Sequence, residues 1–139
     1  MARDELNAVT VLVVDDHELT RNLVSEILHS IGVTKVLEAN SGEEALSRLL
    51  DEPVDLVICD WNMSSMSGLE LLKRLRREAR FDRVPLLMLT AEAYPENINE
   101  AFEMGVTDYV IKPFSSGVLA KKIRAILDKC LVRPGLFLK

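Results

Sequence analysis

The chain has little cysteine, no long apolar run and no surplus of positive charge, and each shortage closes off a class of function. Its two cysteines are Cys59, inside an apolar run, and Cys130, near the end of a helical one. They have neither metal-ligand nor disulfide-framework spacing and read as small core residues in a reducing compartment. No stretch approaches the ~18 continuous apolar residues of a membrane span, and the opening MARDELNAVT lacks the apolar segment of a secretion signal. A cytoplasmic protein without membrane contact is expected. Basic residues number 17 against 22 acidic ones, a net charge of −5, so direct nucleic-acid binding is not expected. Internal linkers, low-complexity tracts and repeats are missing as well. What remains, with 48% apolar and 28% charged residues in 139, is the balance of one soluble globular domain.

Short β-rich apolar runs at 10–14, 35–39, 55–59, 85–89 and 109–111 alternate with longer stretches of helical periodicity. The first helix is expected to bury Leu19, Leu23, Val24, Ile27, Leu28 and Ile31 on one face. The second opens with Ser41 and Glu44 in capping-box spacing and turns Ala45, Leu46, Leu49 and Leu50 inward. The third carries Leu69, Leu72 and Leu75. Pro95 suits the first turn of the fourth, which presents Ile98, Ala101 and Phe102 to the core. The last does so with Leu119, Ile123, Ile126, Leu127 and Cys130. Five strand–helix units predict an α/β fold, a doubly wound five-stranded parallel sheet with helices on both faces.

In such a sheet right-handed crossovers bring every strand's C-terminal end to one edge, where ligands bind. The segment VVDDHELT delivers Asp15 and Asp16 there, VDLVICD delivers Asp60, PLLMLT delivers Thr90 and DYVIK delivers Lys112. Taken singly, each has an ordinary explanation as a helix cap, a turn former or a solvated lysine. Three carboxylates, a hydroxyl and an ammonium converging from four strand ends are not explained that way. Crowded carboxylates repel unless a cation intervenes, and an all-oxygen set with few protein ligands suits Mg²⁺. One carboxylate of such a site can attack phosphorus to form an acyl phosphate. Asp60, alone at the end of a central strand, is the best placed. Lys112 then supplies fixed positive charge for phosphoryl oxygens, and Thr90 a hydroxyl donor.

The motifs DD at 15–16, DWNM at 60–63, M-x-G at 66–68, TAEA at 90–93 and DYVIKPF at 108–114 together resemble the receiver domain of two-component response regulators. The nearest likeness is to the single-domain chemotaxis regulators of the CheY type. It spans about residues 8–130, which divides the chain into a receiver domain at 1–130 and a tail at 131–139. The resemblance implies a flavodoxin-like (βα)5 sheet with strand order 2-1-3-4-5. It implies Asp60 as phosphoacceptor, Mg²⁺ held by Asp15, Asp16, Asp60 and the backbone carbonyl of Asn62, and phosphoryl contacts from Thr90 and Lys112. It also implies a cis peptide between Lys112 and Pro113, a switch aromatic at Tyr109 responding to Thr90, and Asn62 and Glu92 as residues that tune the lifetime of the acyl phosphate. The implied phosphodonor is a histidine kinase. The implied target is a downstream protein, the flagellar motor switch or another signalling protein, bound through the fourth helix, fifth strand and fifth helix. Such a module catalyses only its own phosphorylation and dephosphorylation, and a monomer or weak dimer is expected.

Some residues depart from the family pattern. Ser64 stands where proline is usual, so the loop after Asp60 is expected to be more mobile. Tyr94 and Pro95 replace the basic pair that opens the fourth helix of the best-known chemotaxis regulators, which weakens the expectation of motor binding, although Ile98, Tyr109 and Lys122 fit such a surface. His17 stands beside the acidic pair, either as a solvated first-turn residue or as an influence on the access of water. In the tail CLVRPGLFLK, a Pro-Gly turn signal separates Leu131 and Val132 from Leu136 and Phe137. Packing on its own domain, a dimer contact and the start of a linker are all open readings. So are a phosphorelay intermediate or phosphate sink, and the receiver of a larger regulator. An aspartate-nucleophile phosphatase would need D-x-D where Asp15 and Asp16 are adjacent. Flavin binding would need a Gly- or hydroxyl-rich loop where DDHEL stands.

Overall fold

The structure, a computed structural model, describes residues 3–91 and 94–129. Strands β1 (Thr10–Val14), β2 (Lys35–Ala39), β3 (Leu56–Asp60), β4 (Leu86–Thr90) and β5 (Asp108–Ile111) form one parallel sheet in the order β2-β1-β3-β4-β5. This is the doubly wound, flavodoxin-like order expected from the sequence. Alternation along each strand sorts side chains to two cores. Val11, Val13, Leu56, Ile58, Leu87 and Leu89 face α2 (Glu18–Ile31), α6 (Ser116–Leu127) and a one-turn helix, α1 (Arg3–Leu6). Leu12, Val14, Val57, Cys59, Leu86 and Met88 face α3 (Gly42–Asp51), α4 (Gly68–Arg77) and α5 (Pro95–Glu103). Burial on both sides is why β1, β3 and β4 read as unbroken apolar runs. Among the described residues no helix is long and apolar enough to cross a membrane.

Boundaries shift where backbone pairing overrides composition. β3 and β4 each begin and end one residue later than expected. Asp55 meets Thr10 of β1 partly through its side chain, which accepts from the Thr10 N–H at 2.8 Å while its own N–H donates to the Thr10 carbonyl at 2.8 Å, and Pro85, lacking an N–H, only accepts from Val57 at 2.9 Å. At the other end Asp60 pairs with Leu89 and Thr90 with Ile111, so both site residues are the last rungs of their strands. The short α1 was not expected, because one turn has no period; it forms where Leu6 enters the core.

Helix faces need correction. The stripe of α2 that meets the sheet is Val24, Ile27, Leu28 and Ile31, which leaves Leu19 and Leu23 on its flank and exposed. Leu50 and Phe102 are likewise exposed, one position beyond the buried Leu49 and Ala101, and Ile98 is half-buried. α4 buries Leu71, Leu72 and Leu75, with Leu69 only half-buried. Cys59 is a free, buried core thiol, while Cys130 and the tail lie outside the described residues. α2 ends on Gly32, whose left-handed φ of 111° lets its N–H and that of Val33 turn back to the carbonyls of His29 and Leu28.

Helix caps follow the sequence more closely. Ser41 accepts from the Glu44 N–H at 3.1 Å, but Glu44 reaches one residue further back, to the Asn40 N–H at 2.7 Å. A reciprocal box forms at α4, where Ser67 and Glu70 each accept from the other's N–H at 3.1 Å. Ser67→Ala is expected to cost ~1 kcal/mol in urea unfolding, with an unchanged m-value.

Candidate functional site

The acidic edge is assembled from backbone upward. Just past β1, the Asp15 N–H extends the sheet by bonding to the Ala39 carbonyl at 3.1 Å, which fixes a side chain only 1% exposed. Asp60, at the last rung of β3, is 4% exposed. Thr90 is fully buried, and its carbonyl accepts from the Lys112 N–H at 2.8 Å, holding the start of the loop after β5 against β4. The Lys112–Pro113 peptide is cis. Lys112 Nζ lies 3.2 Å from Asp60 Oδ1 and 3.5 Å from Asp15 Oδ2, so one ammonium spans two buried carboxylates. Asp16 is more exposed and completes a group, with Asp15, His17 and Asp60, whose potential ligand atoms lie within 4.8 Å of one another.

His17 has partners that the sequence did not assign. Its Nδ1 is 2.9 Å from Asp16 Oδ1 and 3.2 Å from Asp15 Oδ1, and its backbone N–H donates to Asp15 Oδ1 at 2.8 Å. His17, not an aspartate, occupies the N-cap of α2, and no side-chain cap bond forms there. Arg21 was missed entirely. Its Nη1 donates to the Asp15 carbonyl at 2.7 Å while its Nε meets Glu38 Oε1 at 2.9 Å, clamping the ends of β1 and β2 together. A cation in the second turn after an acidic pair was the available signal.

The electrostatics leave negative charge uncompensated. Burial pushes the Asp60 carboxyl above its ordinary range, Asp15 pushes it further, and Lys112 and a backbone hydrogen bond from Asn62 pull it back. The neighbouring Cys59 thiol is pushed up by burial and then by Asp60 and Asp15, so it stays neutral; it donates to the Asp60 carbonyl at 3.3 Å. Three carboxylates face one lysine, with oxygen donors in excess. That set fits a hard divalent cation of the Mg²⁺ type, which takes oxygen ligands and few protein contacts.

A second group lies behind the edge. Thr90 and Tyr109 lie on the same face of the sheet, one rung pair apart, since Tyr109 pairs with Met88 and Thr90 with Ile111. Tyr109 is half-buried, edge-on to Phe102 with centroids 6.1 Å apart, and Lys122 Nζ lies 5.9 Å from its ring. Lys122 also bonds to Asp108 Oδ2 at 2.8 Å. At the mouth the Asn62 and Ser64 side chains are exposed. Ser65 ties their loop to α3 by donating to Glu43 Oε1 at 2.9 Å. Glu92 lies outside the described residues.

A family model of the response regulator receiver domain matches residues 11–124. The chemotaxis protein CheY of Pseudomonas aeruginosa is 40% identical over 119 residues, covering 86% of this chain and 96% of that one. The solved chemotaxis response regulator CheY4 of Vibrio cholerae aligns with a TM-score of 0.80 and 36% identity, over 86% of this chain and 98% of that one. The signal receiver domain of a signal transduction histidine kinase from Syntrophus aciditrophicus aligns with a TM-score of 0.82 and 26% identity, over 90% of this chain and 93% of that one. The residues that build the sheet and its acidic edge are thus matched as one unit, and the chain belongs to the response regulator receiver domain family, with chemotaxis proteins of the CheY type among its relatives.

Proposed function

We propose that the chain is a two-component response regulator in which Asp60 accepts a phosphoryl group from a histidine kinase and the modification switches a protein-binding surface. The observation that carries this reading is the Lys112 ammonium lying between the two buried carboxylates of Asp60 and Asp15. An Asp60 oxygen attacks phosphorus, the bond to the donor's imidazole nitrogen breaks, and that nitrogen keeps the electron pair. Lys112, already within 3.2 Å of Asp60, is positioned to follow the new phosphoryl oxygens. Asp15, Asp16, Asp60 and the Asn62 carbonyl would hold Mg²⁺, which when bound offsets the charge of carboxylates and phosphoryl oxygens together. Asn62 and Glu92, two residues beyond Asp60 and Thr90, adjust how long the acyl phosphate survives. The unit runs over 1–130, acts in the cytoplasm, and catalyses only its own phosphorylation and dephosphorylation.

Switching needs several contacts at once. Moving a two-state surface from 1:99 to 99:1 takes ~5.5 kcal/mol, several times the net worth of one hydrogen bond. Thr90 supplies a contact from the buried end of β4, and Tyr109, on the same sheet face, reports it to the surface of α5, β5 and α6. Thr90→Ala is therefore expected to remain phosphorylatable while losing most of the phosphorylation-dependent change at Tyr109. Ring proton shifts of Tyr109 before and after beryllofluoride would register this, and an undiminished change would sink the coupling.

The relatives named as chemotaxis proteins favour a chemotaxis output through a protein target. The kinase-borne receiver among the solved structures supports the second reading, a receiver that passes its phosphoryl group on or serves a larger regulator. The decisive experiment titrates Mg²⁺ and then beryllofluoride while following the fluorescence of Trp61, next to Asp60, in the protein and in Asp60→Asn. A response in the protein alone supports the phosphoacceptor reading, and equal behaviour of the two overturns it.

A further inference from the structure

His17 stands at the acidic edge, and the phosphoacceptor reading gives it no task. It occupies the N-cap of α2 with extended backbone, φ −103° and ψ 116°, yet makes no side-chain cap bond. Ser, Thr, Asp and Asn are the residues that cap well, so the position is not used to hold the helix. The ring turns instead toward the carboxylates. Its Nδ1 lies 2.9 Å from Asp16 Oδ1 and 3.2 Å from Asp15 Oδ1, and the backbone N–H bonds to that same Asp15 oxygen at 2.8 Å, which fixes the root of the side chain. Lys112 meets the other oxygen, Asp15 Oδ2, at 3.5 Å, so imidazole and ammonium share Asp15 without competing for one atom. The His17 side chain is 72% exposed and has room to follow an ion.

The potential ligand atoms of Asp15, Asp16, His17 and Asp60 lie within 4.8 Å of one another. Opposite ligands of one ion at ~2.1 Å stand ~4.2 Å apart, so this spread closes on a shared ion with small side-chain movements. The donor set thus holds one nitrogen among carboxylate oxygens. Carboxylates suit Mg²⁺, whereas imidazole suits Zn²⁺, Ni²⁺ and their first-row neighbours. We propose that His17 is a metal ligand of this edge, joining Asp15, Asp16 and Asp60 through Nδ1, and that it makes the site select a first-row dication of the Zn²⁺, Co²⁺ or Ni²⁺ class over Mg²⁺. As a ligand Nδ1 offers its lone pair while the ring proton sits on Nε2. The ring sets which ion the carboxylates prefer, not whether they bind one. This rests on the reading of the edge as a metal site and names the residue that decides its selectivity.

Separate Co²⁺ and Mg²⁺ titrations of the full chain, followed by Trp61 fluorescence, test the selectivity. His17→Asn supplies a good cap and no imidazole, and the ratio of Co²⁺ to Mg²⁺ affinity is expected to fall in it by about tenfold or more. His29→Asn removes the only other histidine, at the far end of α2 and roughly 18 Å away, and should leave the ratio unchanged. Proton spectra of the Co²⁺-loaded chain should also show strongly shifted ring signals from one histidine, lost in His17→Asn and kept in His29→Asn. A residue acting only through its charge or as a cap would not produce them. An unchanged ratio in His17→Asn, with Mg²⁺ still bound, would overturn the inference and leave the metal site standing. Shifted signals that vanish in His29→Asn instead would overturn it too, by placing the ion elsewhere. A parent that binds neither ion would sink the metal reading and this inference with it.

Discussion

Asp60→Asn is expected to lose all phosphorylation and all response to beryllofluoride, and at the same time to become more heat-stable than the parent in metal-free buffer at neutral pH. The two effects have one cause. Burial and Asp15 raise the Asp60 carboxyl in the folded protein above its value of 3.8 in an unfolded chain, so ionising it costs stability. Below the unfolded value Asp60 is protonated in both states, and the parent and variant should differ little through this group. As pH rises through the raised folded value the unfolded chain releases its proton more readily than the native one, and stability is lost. Above both values the loss is complete. Asparagine keeps the shape, carries no charge, and leaves Lys112 to Asp15 alone at 3.5 Å.

Thermal midpoints in a chelator therefore should diverge between acid and neutral pH, with the variant higher at neutral. Adding Mg²⁺ should reverse the order, because a ligand that binds only the native parent stabilises it by mass action. A variant less stable than the parent at neutral pH without metal would show that Lys112 already overcompensates the pair. A variant still accepting phosphate would move the nucleophile elsewhere.

The legible parts of this protein are those that depend on chain direction and periodicity. Strand and helix order follow from apolar runs and caps, and parallel topology then places Asp15, Asp60, Thr90 and Lys112 at one edge whatever their neighbours. The illegible parts depend on where one element crosses another. Periodicity gives α2 a stripe wider than the sheet can cover, and only the crossing decides that Val24, not Leu23, faces inward. The same holds for Phe102, whose ring turns to Tyr109 rather than the core. His17 gained its partners from the way α2 starts, with an uncapped first turn over Asp15, which no spacing rule encodes, whereas the place of Arg21 shortly after the acidic pair did carry a signal. Glu92 and the tail, by contrast, lie outside the described residues.

Gly68→Ala is expected to destabilise the protein by about 3 kcal/mol in urea unfolding and to weaken Mg²⁺ binding. Gly68 opens α4, and its N–H donates to the Trp61 carbonyl at 2.8 Å, which seats the helix directly on the end of β3. A Cβ at this position would stand 2.5 Å from the Asp60 carbonyl oxygen, 2.7 Å from Met88 Sδ and 3.0 Å from Trp61 Cα. Two of these neighbours are backbone, pinned by the pairing of Asp60 with Leu89 and by the Trp61 N–H bond to the Leu89 carbonyl. Met88 is fully buried, so it has little room to yield. Either α4 lifts from the sheet or the segment carrying Asp60 moves, and the second disturbs the acidic edge itself. Gly117→Ala is the matched control. Its Cβ would meet nothing within 4 Å, and alanine in α6 should gain ~0.5–1 kcal/mol with metal affinity unchanged. Equal effects at the two glycines would mean that α4 is not held against β3, and that the position of Asp60 is set by the sheet alone.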